Sequence, residues 1–241
     1  MWQLVILAAS VYTVAAHIPV VLWHGMGDSC CDPRSMGRVM DQINEQLPGI
    51  HIVSVKIGDT AEQDQNASFF DQISRQVDLV CETLAQDPLL VNGFNAMGFS
   101  QGGLFLRAYV QRCNNPPVRN LLTFGSPHGG VAAAPGCMDD SNFKCKLMRS
   151  VIKNGVYLSW VQSRLVQAQY FKEWDNYEEY LENSIFLADI NNERPVTRPE
   201  YATRLTSLQK FVMVQFNNDT MIVPKETAVY EADIVVFILQ F

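Results

Sequence analysis

Apolar runs of strand length alternate with amphipathic stretches through the first half of the chain. Such runs lie at 18–23, 50–57 and 118–124. Between the first two, residues 36–47 carry apolar side chains at the three- and four-residue spacing of a helix that buries one face. The same spacing returns in 68–85, ahead of a further apolar run that leads into the letters NAMGFSQGG. Alternating strands and helices predict a parallel sheet with helices on both faces, which is the α/β class.

The pattern changes in the second half of the chain. Residues 131–200 contain predicted helices, such as 145–169, and no strand pattern occurs before 210–216. An insertion between two strands of such a sheet lies at their carboxyl ends. We therefore predict one domain, residues 17–241, in which 131–200 forms a helical cap. The apolar face of such a cap fits ordinary core packing and a lipophilic groove equally well.

Composition places the chain among globular proteins. Of its 241 residues, 48% are hydrophobic and 18% are charged, which is enough for one sizeable core. The formal net charge is −7 and the isoelectric point is near 5.1, so the chain has no excess of positive charge to attract nucleic acid. Nucleic-acid binding is therefore excluded. The sequence has no phosphate-binding glycine loop and no cysteine–histidine cluster of ligand spacing, so we predict neither a cofactor nor a metal.

The N-terminus has the features of a secretory leader. Residues 1–16 contain an apolar core and end in Val-Ala-Ala, small residues that suit cleavage before His17. They are too short to span a bilayer. No lysine or arginine precedes the apolar core, so a buried first strand is the alternative. Two sequons, at Asn66 and Asn218, become glycosylation sites if the chain is exported.

Cysteine usage also favours an exported chain, because the six cysteines are an even number. Two pairs would close short loops: Cys81 with Cys113, and Cys137 with Cys145. Spacing alone does not choose among the possible pairings.

A G-x-S-x-G motif centred on Ser100 lies between a predicted strand and a helix predicted from residue 104 to 112. In that context the motif predicts a tight turn that exposes the serine hydroxyl, with the glycines allowing strand and helix to approach each other. A glycine-rich turn of an unrelated α/β protein is the alternative. The predicted oxyanion donors are the backbone N–H groups of Gln101, which follows the serine, and of Met26, in the loop after the first strand.

A nucleophilic serine also needs an acid and a base. Asp219 follows the strand predicted at 210–216, where an α/β-hydrolase places its acid, although an Asn-Asp turn explains it as well. No histidine of the sequence comes after this aspartate, so none takes third place in the order serine, acid, histidine. His17, His24 and His51 are better explained as structural, and His128 could be recruited only from the wrong strand, so the predicted site lacks its general base.

Four segments carry a resemblance to a known family. They are 24–31 (HGMGDSCC), 95–103 (NAMGFSQGG), 184–191 (SIFLADIN) and 210–214 (KFVMV). Matches of this length are far more specific than G-x-S-x-G. The chain resembles the palmitoyl-protein thioesterases, lysosomal α/β-hydrolases that remove fatty acyl groups from cysteine, from its leader to about residue 224.

The resemblance implies a function and a site. The implied substrates are fatty acyl thioesters of S-acylated proteins or peptides, hydrolysed in the lysosome after transit through the secretory pathway, with secretion as a further destination. By resemblance Ser100 is the nucleophile and Asp219 the triad acid, and Met26 and Gln101 give the oxyanion amides. The implied disulfides are Cys30–Cys31, Cys81–Cys113 and Cys137–Cys145. The expected acyl-groove wall is Met221, Ile222 and Val223.

The family's histidine lies well downstream of its aspartate, whereas 22 residues follow Asp219 here (241 minus 219). Residues 234–241 do not resemble the family's C-terminal region, so we expect a chain that is truncated or divergent after about residue 231. Three hypotheses follow: an impaired thioesterase, an inert isoform that binds lipid or misfolds, and a lipid oxygen-ester hydrolase. We expect a monomer with no transmembrane segment. The apolar run at 234–241 predicts either a buried strand or an exposed edge.

Overall fold

The computed structural model describes residues 17–133, 150 and 155–229, together with the backbone of 235–239. The predicted leader, residues 1–16, lies outside these ranges. So do the predicted Cys137–Cys145 pair and part of the helix predicted at 145–169.

Six strands form one parallel sheet. Its order is β2-β1-β3-β4-β5-β6, and every pairing is parallel. The carboxyl ends of the strands therefore meet along one edge, and the predicted α/β class is confirmed. The strands are β1 (Val20–Trp23), β2 (Ile52–Ser54), β3 (Phe94–Phe99), β4 (Val118–Phe124), β5 (Lys210–Phe216) and β6 (Val235–Leu239).

Helices cover both faces of the sheet, as predicted. Alternate residues of β1 point to opposite sides, so Val21 joins a large apolar cluster with α3 and α4 while Leu22 joins a smaller cluster with α1. The helices are α1 (Met36–Gln46), α2 (Ala61–Ala67), α3 (Ile73–Ala85), α4 (Gln101–Arg112), α5 (Ser159–Gln162), α6 (Val166–Gln169), α7 (Tyr177–Asn183), α8 (Leu187–Ile190) and α9 (Pro199–Thr206), with a 3-10 helix at Lys225–Ala228.

The helix predicted at 68–85 is present but starts later than predicted, because residues 68–72 are not helical and α3 begins at Ile73. The chain forms α2, which starts with a capping box at Thr60, then breaks and resumes as α3. The break persists because its backbone groups bond elsewhere: the carbonyl of Phe69 accepts from Val166 N at 3.0 Å, and Ile73 N donates to Gln169 Oε1 at 2.9 Å. Tertiary contacts therefore override the helical spacing.

The long helix predicted at 145–169 is also wrong over its described part, where the short helices α5 and α6 occur. The amide of Gln162 donates to the carbonyls of Val156 and Ala168, and Leu165 forms an isolated bridge with Phe70. These bonds stabilise a bent path between the two helices. Among the helices that the structure describes, none is both long and apolar enough to cross a membrane.

The apolar run near residue 235 forms β6, which pairs with β5 through the register Val214↔Phe237. The strand order places β6 at the edge of the sheet, beyond the strand that leads to Asp219. The run is therefore a strand, and the burial of its side chains, on which the two alternatives differ, lies outside what the structure describes.

Candidate active site

Ser100 occupies a strained turn between β3 and α4. Its φ of 52° and ψ of −125° lie outside the regions that ordinary residues favour, at a cost of about 1–3 kcal/mol. The flanking glycines make the turn possible. A Cβ on Gly98 would lie 2.3 Å from the Cα of Gly103, and a Cβ on Gly102 would lie 2.3 Å from the carbonyl oxygen of Trp23. The motif thus has the geometry of a nucleophile elbow.

A cavity of 690 Å³ opens at the carboxyl ends of the strands. Ser100, Met26 and Asp219 line it together. Met221 and Ile222 also line it, whereas Val223 lies outside the lining. Much of the remaining wall is apolar and consists of Met36 and Val39 of α1, the stacked rings of Phe99 and Phe124, Phe216, and Tyr170. The cavity is large enough for a ligand and brings the predicted nucleophile, acid and one oxyanion residue into one space.

Asp219 follows β5 in a turn that fixes its carboxylate. Its Oδ1 accepts from the backbone N–H of Met221 at 2.8 Å and of Ile222 at 3.0 Å. A Cβ on Gly125 would lie 3.3 Å from Oδ2, so that oxygen faces the end of β4. No group in the described part of the chain hydrogen-bonds to Oδ2. That oxygen is therefore available to accept from an imidazole.

The two predicted oxyanion residues belong to segments that contact the nucleophile. Gln101 is the first residue of α4, so its N–H is one of the donors that a helix leaves unpaired at its N-terminus. Its side chain donates to the carbonyl of Ser68 at 3.1 Å and accepts from Tyr170 OH at 3.3 Å. The loop that contains Met26 also approaches closely, because a Cβ on Gly25 would lie 3.2 Å from the Cβ of Ser100.

Three of the four histidines hydrogen-bond to groups other than Ser100. His24 bonds to Asp64 and Gly25, His51 to Asp87, and His128 to Thr123. The Ser100 hydroxyl has no hydrogen bond to any residue that the structure describes. Complete burial, together with the nearby Arg107, holds the pKa of His128 well below its ordinary value. The described contacts thus supply no imidazole to the serine.

Two disulfides lie in the described ranges. Cys30 is bonded to its neighbour Cys31, and Cys81 of α3 is bonded to Cys113 at the end of α4. The sequon residue Asn66 is exposed on α2, as is Asn218 in the turn after β5. Across residues 17–133 and 155–229, no group of three or more histidine, cysteine or acidic side chains could hold a metal ion.

Sequence reasoning missed the polar support of the site. Asp64 is fully buried and accepts three hydrogen bonds, yet its surroundings in the sequence, AEQDQNA, are typical of a solvated helix. It also missed the wall contributed by Met36, Val39 and Tyr170. The helical spacing of α1 marked the first two as buried, but no local signal indicated that they face the serine.

The fold and the site define an α/β-hydrolase, in which a strained serine follows β3 and an acid follows the strand after a helical insertion. A solved structure with this fold is 2-hydroxy-6-oxo-6-phenylhexa-2,4-dienoate hydrolase (BphD) from Rhodococcus sp. strain RHA1. It aligns over 92% of this chain and 83% of its own, with a TM-score of 0.51 and 14% sequence identity, which supports the fold alone.

The chain belongs to the palmitoyl protein thioesterase family, whose model matches residues 19–235. Palmitoyl-protein thioesterase 1 of Caenorhabditis elegans is 46% identical over 225 residues, which cover 93% of this chain and 75% of that protein. Lysosomal thioesterase PPT2 of Homo sapiens is 28% identical over 195 residues, covering 79% of this chain and 60% of that protein. The resemblance read from the sequence is thereby confirmed.

Proposed function

We propose that this chain hydrolyses long-chain acyl thioesters, palmitoyl thioesters in particular, through an acyl intermediate on Ser100. The observation that carries the proposal is the shared cavity of Ser100, Met26 and Asp219, with its largely apolar wall, in a member of the thioesterase family. S-acylated proteins and peptides are the substrates that this chemistry fits.

The reaction has two steps. The Ser100 hydroxyl loses its proton to a base as Oγ forms a bond to the thioester carbonyl carbon, and the backbone N–H groups of Met26 and Gln101 hold the resulting oxyanion. The C–S bond then breaks, the sulfur leaves as a thiolate, and an acyl ester remains on the serine. Water adds to that ester, and release of the fatty acid restores the hydroxyl.

The acyl chain lies along the apolar wall, with Met221 and Ile222 beside the acid. Each buried methylene contributes about 0.8 kcal/mol, so a long chain gains far more than a short one. Residues 131–200 act as a cap over this groove. Their Tyr170, which lines the cavity and bonds to Gln101, supports that role.

Proton transfer is the weak step in a polypeptide of these 241 residues. All four histidines precede Asp219 in the sequence, and three are bonded elsewhere. A positioned general base contributes about 10²–10⁴-fold, so a polypeptide of only these 241 residues should lack that contribution. A thiolate departs more readily than an alkoxide because a thiol has a pKa of only about 8.5. The lack of a general base should therefore slow the hydrolysis of thioesters less than that of oxygen esters.

The test is hydrolysis of a palmitoyl thioester by the whole chain, expressed in a secretory host with residues 1–16 in place, against the Ser100→Ala variant. We expect slow turnover that added imidazole accelerates at least about 10-fold, because the small base enters the cavity beside Oδ2 of Asp219. The variant loses both the basal and the accelerated rate. Equal rates in the two proteins would overturn the proposal.

A matched palmitoyl oxygen ester distinguishes the thioesterase from a lipid esterase. Faster hydrolysis of the ester than of the thioester would contradict the substrate class while leaving Ser100 as the nucleophile. An imidazole-independent rate comparable to that of an intact hydrolase would contradict the missing-base part of the proposal.

We also propose a lysosomal location, reached through the secretory pathway. The lysosomal name of the Homo sapiens relative and the disulfides of the described ranges support it, because disulfides persist in oxidising compartments. Cleavage before His17, glycans on Asn66 and Asn218, and a monomeric state belong to the same proposal. Mass spectrometry and sedimentation of the secreted protein test them.

A further inference from the structure

The buried ring of His24 lies between two hydrogen-bond acceptors. Its Nε2 is 3.1 Å from Oδ1 of Asp64, and its Nδ1 is 2.9 Å from the carbonyl oxygen of Gly25. The same carboxylate accepts the backbone N–H of Ile57 at 2.8 Å on Oδ1 and that of Cys30 at 2.7 Å on Oδ2. A carboxylate and a carbonyl oxygen both accept hydrogen bonds, so the ring satisfies both partners when each ring nitrogen carries a proton and the ring is positively charged.

The carbonyl that this ring holds belongs to the peptide unit between Gly25 and Met26. In a trans peptide the C=O and N–H groups point in opposite directions, so fixing one fixes the other. The N–H of this unit is the oxyanion donor assigned to Met26. A charged donor on the carbonyl also polarises the peptide and strengthens its N–H as a donor.

We infer that Asp64 and the charged ring of His24 form the positioning device of the oxyanion hole. The ring anchors the carbonyl of Gly25 and thereby aims the N–H of Met26 at the oxygen of an acyl group on Ser100. The inference rests on the proposed function, since it assigns a role within that reaction, and neither Asp64 nor His24 contacts the substrate.

Helix α2 and the residue after it hold the next part of the same loop. Gly27 N donates to Ser68 Oγ at 2.8 Å, and Gln65 Nε2 donates to the carbonyl of Gly27 at 2.6 Å. Asp64, acting through His24, and the side chains of Gln65 and Ser68 therefore hold three successive peptide units of the loop. These hydrogen bonds hold the N–H of Met26 in position before negative charge develops on the substrate oxygen. Such preorganisation is what makes oxyanion stabilisation strong.

Two charged groups face His24: Asp64 from α2 and Asp28 from its own loop. Burial opposes the charge on the ring, but the Asp64 carboxylate, the Gly25 carbonyl and Asp28 outweigh it and raise the pKa of His24 above its ordinary value. Asp28 itself accepts from Ser29 N and from Ser35 Oγ, both through Oδ1.

Histidine-selective ¹⁵N NMR tests the charge of the ring with His24 and its hydrogen-bond partners unaltered. We expect the His24 ring to be protonated on both nitrogens at pH 6.5 and to titrate above the value of about 6.5 that an ordinary histidine has. The resonance is assigned by elimination with His17→Gln, His51→Gln and His128→Gln. A neutral His24 ring at pH 6.5 would overturn the inference.

The kinetic test measures acylation of Ser100 by a palmitoyl thioester in imidazole, comparing His24→Gln with His51→Gln. His51 is a matched control because it is also paired with an aspartate, Asp87, but lies before β2, at the amino ends of the strands. We expect His24→Gln to lower kcat about 10²-fold with KM within about 2-fold, the loss that follows from removing one oxyanion donor. The control keeps the rate of the unmodified chain.

The outcomes separate this inference from the proposed function. Failure of the unmodified chain to acylate in imidazole contradicts the proposed function, whereas the NMR result still decides the state of the ring. Acylation that is equally fast in His24→Gln, or a change in KM alone, overturns the positioning role. If His24→Gln does not fold, the NMR titration of the unmodified chain remains the deciding measurement.

Discussion

Two buried histidines follow parallel strands of the same sheet, His24 after β1 and His128 in the loop after β4. Their exposed fractions are similarly small, 2% and 0%. His24 bonds to a carboxylate and a carbonyl, which raise its pKa despite burial. His128 bonds to the hydroxyl of Thr123 and lies near Arg107, and burial and that cation lower its pKa.

The opposite pKa shifts of His24 and His128 show that burial alone does not decide the charge of a histidine. Desolvation acts against the proton at both positions, and the neighbours determine which state prevails. A charged ring suits the position of His24 beside the oxyanion loop, because both of its nitrogens can donate a hydrogen bond, one to Asp64 and one to Gly25. A neutral ring suits the packed site between a hydroxyl and the edge of Phe211, whose ring centroid is 5.5 Å away.

The largest effect on stability should come from removing the Asp64 carboxylate, which pairs with His24 and has no counterpart among the described contacts of His128. Asp64→Ala leaves the charged His24 and two backbone donors without their acceptor, so we expect the free energy of unfolding to fall by about 3–5 kcal/mol. Urea unfolding at pH 6 measures it. Asp87→Ala is the control, because its partly exposed pair with His51 should be worth less than about 1 kcal/mol. Equal losses would contradict the special role of Asp64.

A smaller effect should follow at the other histidine. Thr123→Val keeps the shape of the side chain but removes the hydroxyl that pairs with His128 Nε2 at 2.9 Å. We expect unfolding to become easier by about 1–3 kcal/mol while acylation of Ser100 in imidazole stays unchanged. Thr83→Val on the exposed face of α3 should change stability by less than about 0.5 kcal/mol. A fall in acylation with stability intact would show that the His128 site supports catalysis as well.

The smallest effect is the dependence of stability on pH, and it should have opposite signs at the two sites. The raised pKa of His24 means that its contribution is complete below about pH 6.5 and is lost as pH rises through the folded value. The lowered pKa of His128 means that its contribution is lost as pH falls below about 6.5, because only the unfolded chain takes the proton.

Unfolding free energies from pH 5 to 8.5 for His24→Gln and His128→Gln measure this dependence. The advantage of the unmodified chain over His24→Gln should shrink towards high pH, and its advantage over His128→Gln should shrink towards low pH. Each slope is at most about 1.4 kcal/mol per pH unit for one proton. Slopes of the same sign would remove the contrast between the two rings.

Elements whose signals are local could be predicted from the sequence. The apolar runs gave β4 and β5 their observed bounds, the helical spacing located α1 to within one residue, and the glycines around Ser100 marked the turn that only glycine permits. Such features depend on residues within a few positions of one another, so a linear pattern contains them.

The tertiary structure alone decided how distant residues combine. It moved the start of the helix predicted at 68–85 to Ile73, because the backbone groups of Phe69 and Ile73 bond to Val166 and Gln169, nearly a hundred residues away. It also paired His24 with Asp64, which is separated from it by 40 residues and looks solvated in the sequence. The charge of a buried ring depends on which groups surround it in space, and neither the spacing nor the type of residue specifies those neighbours.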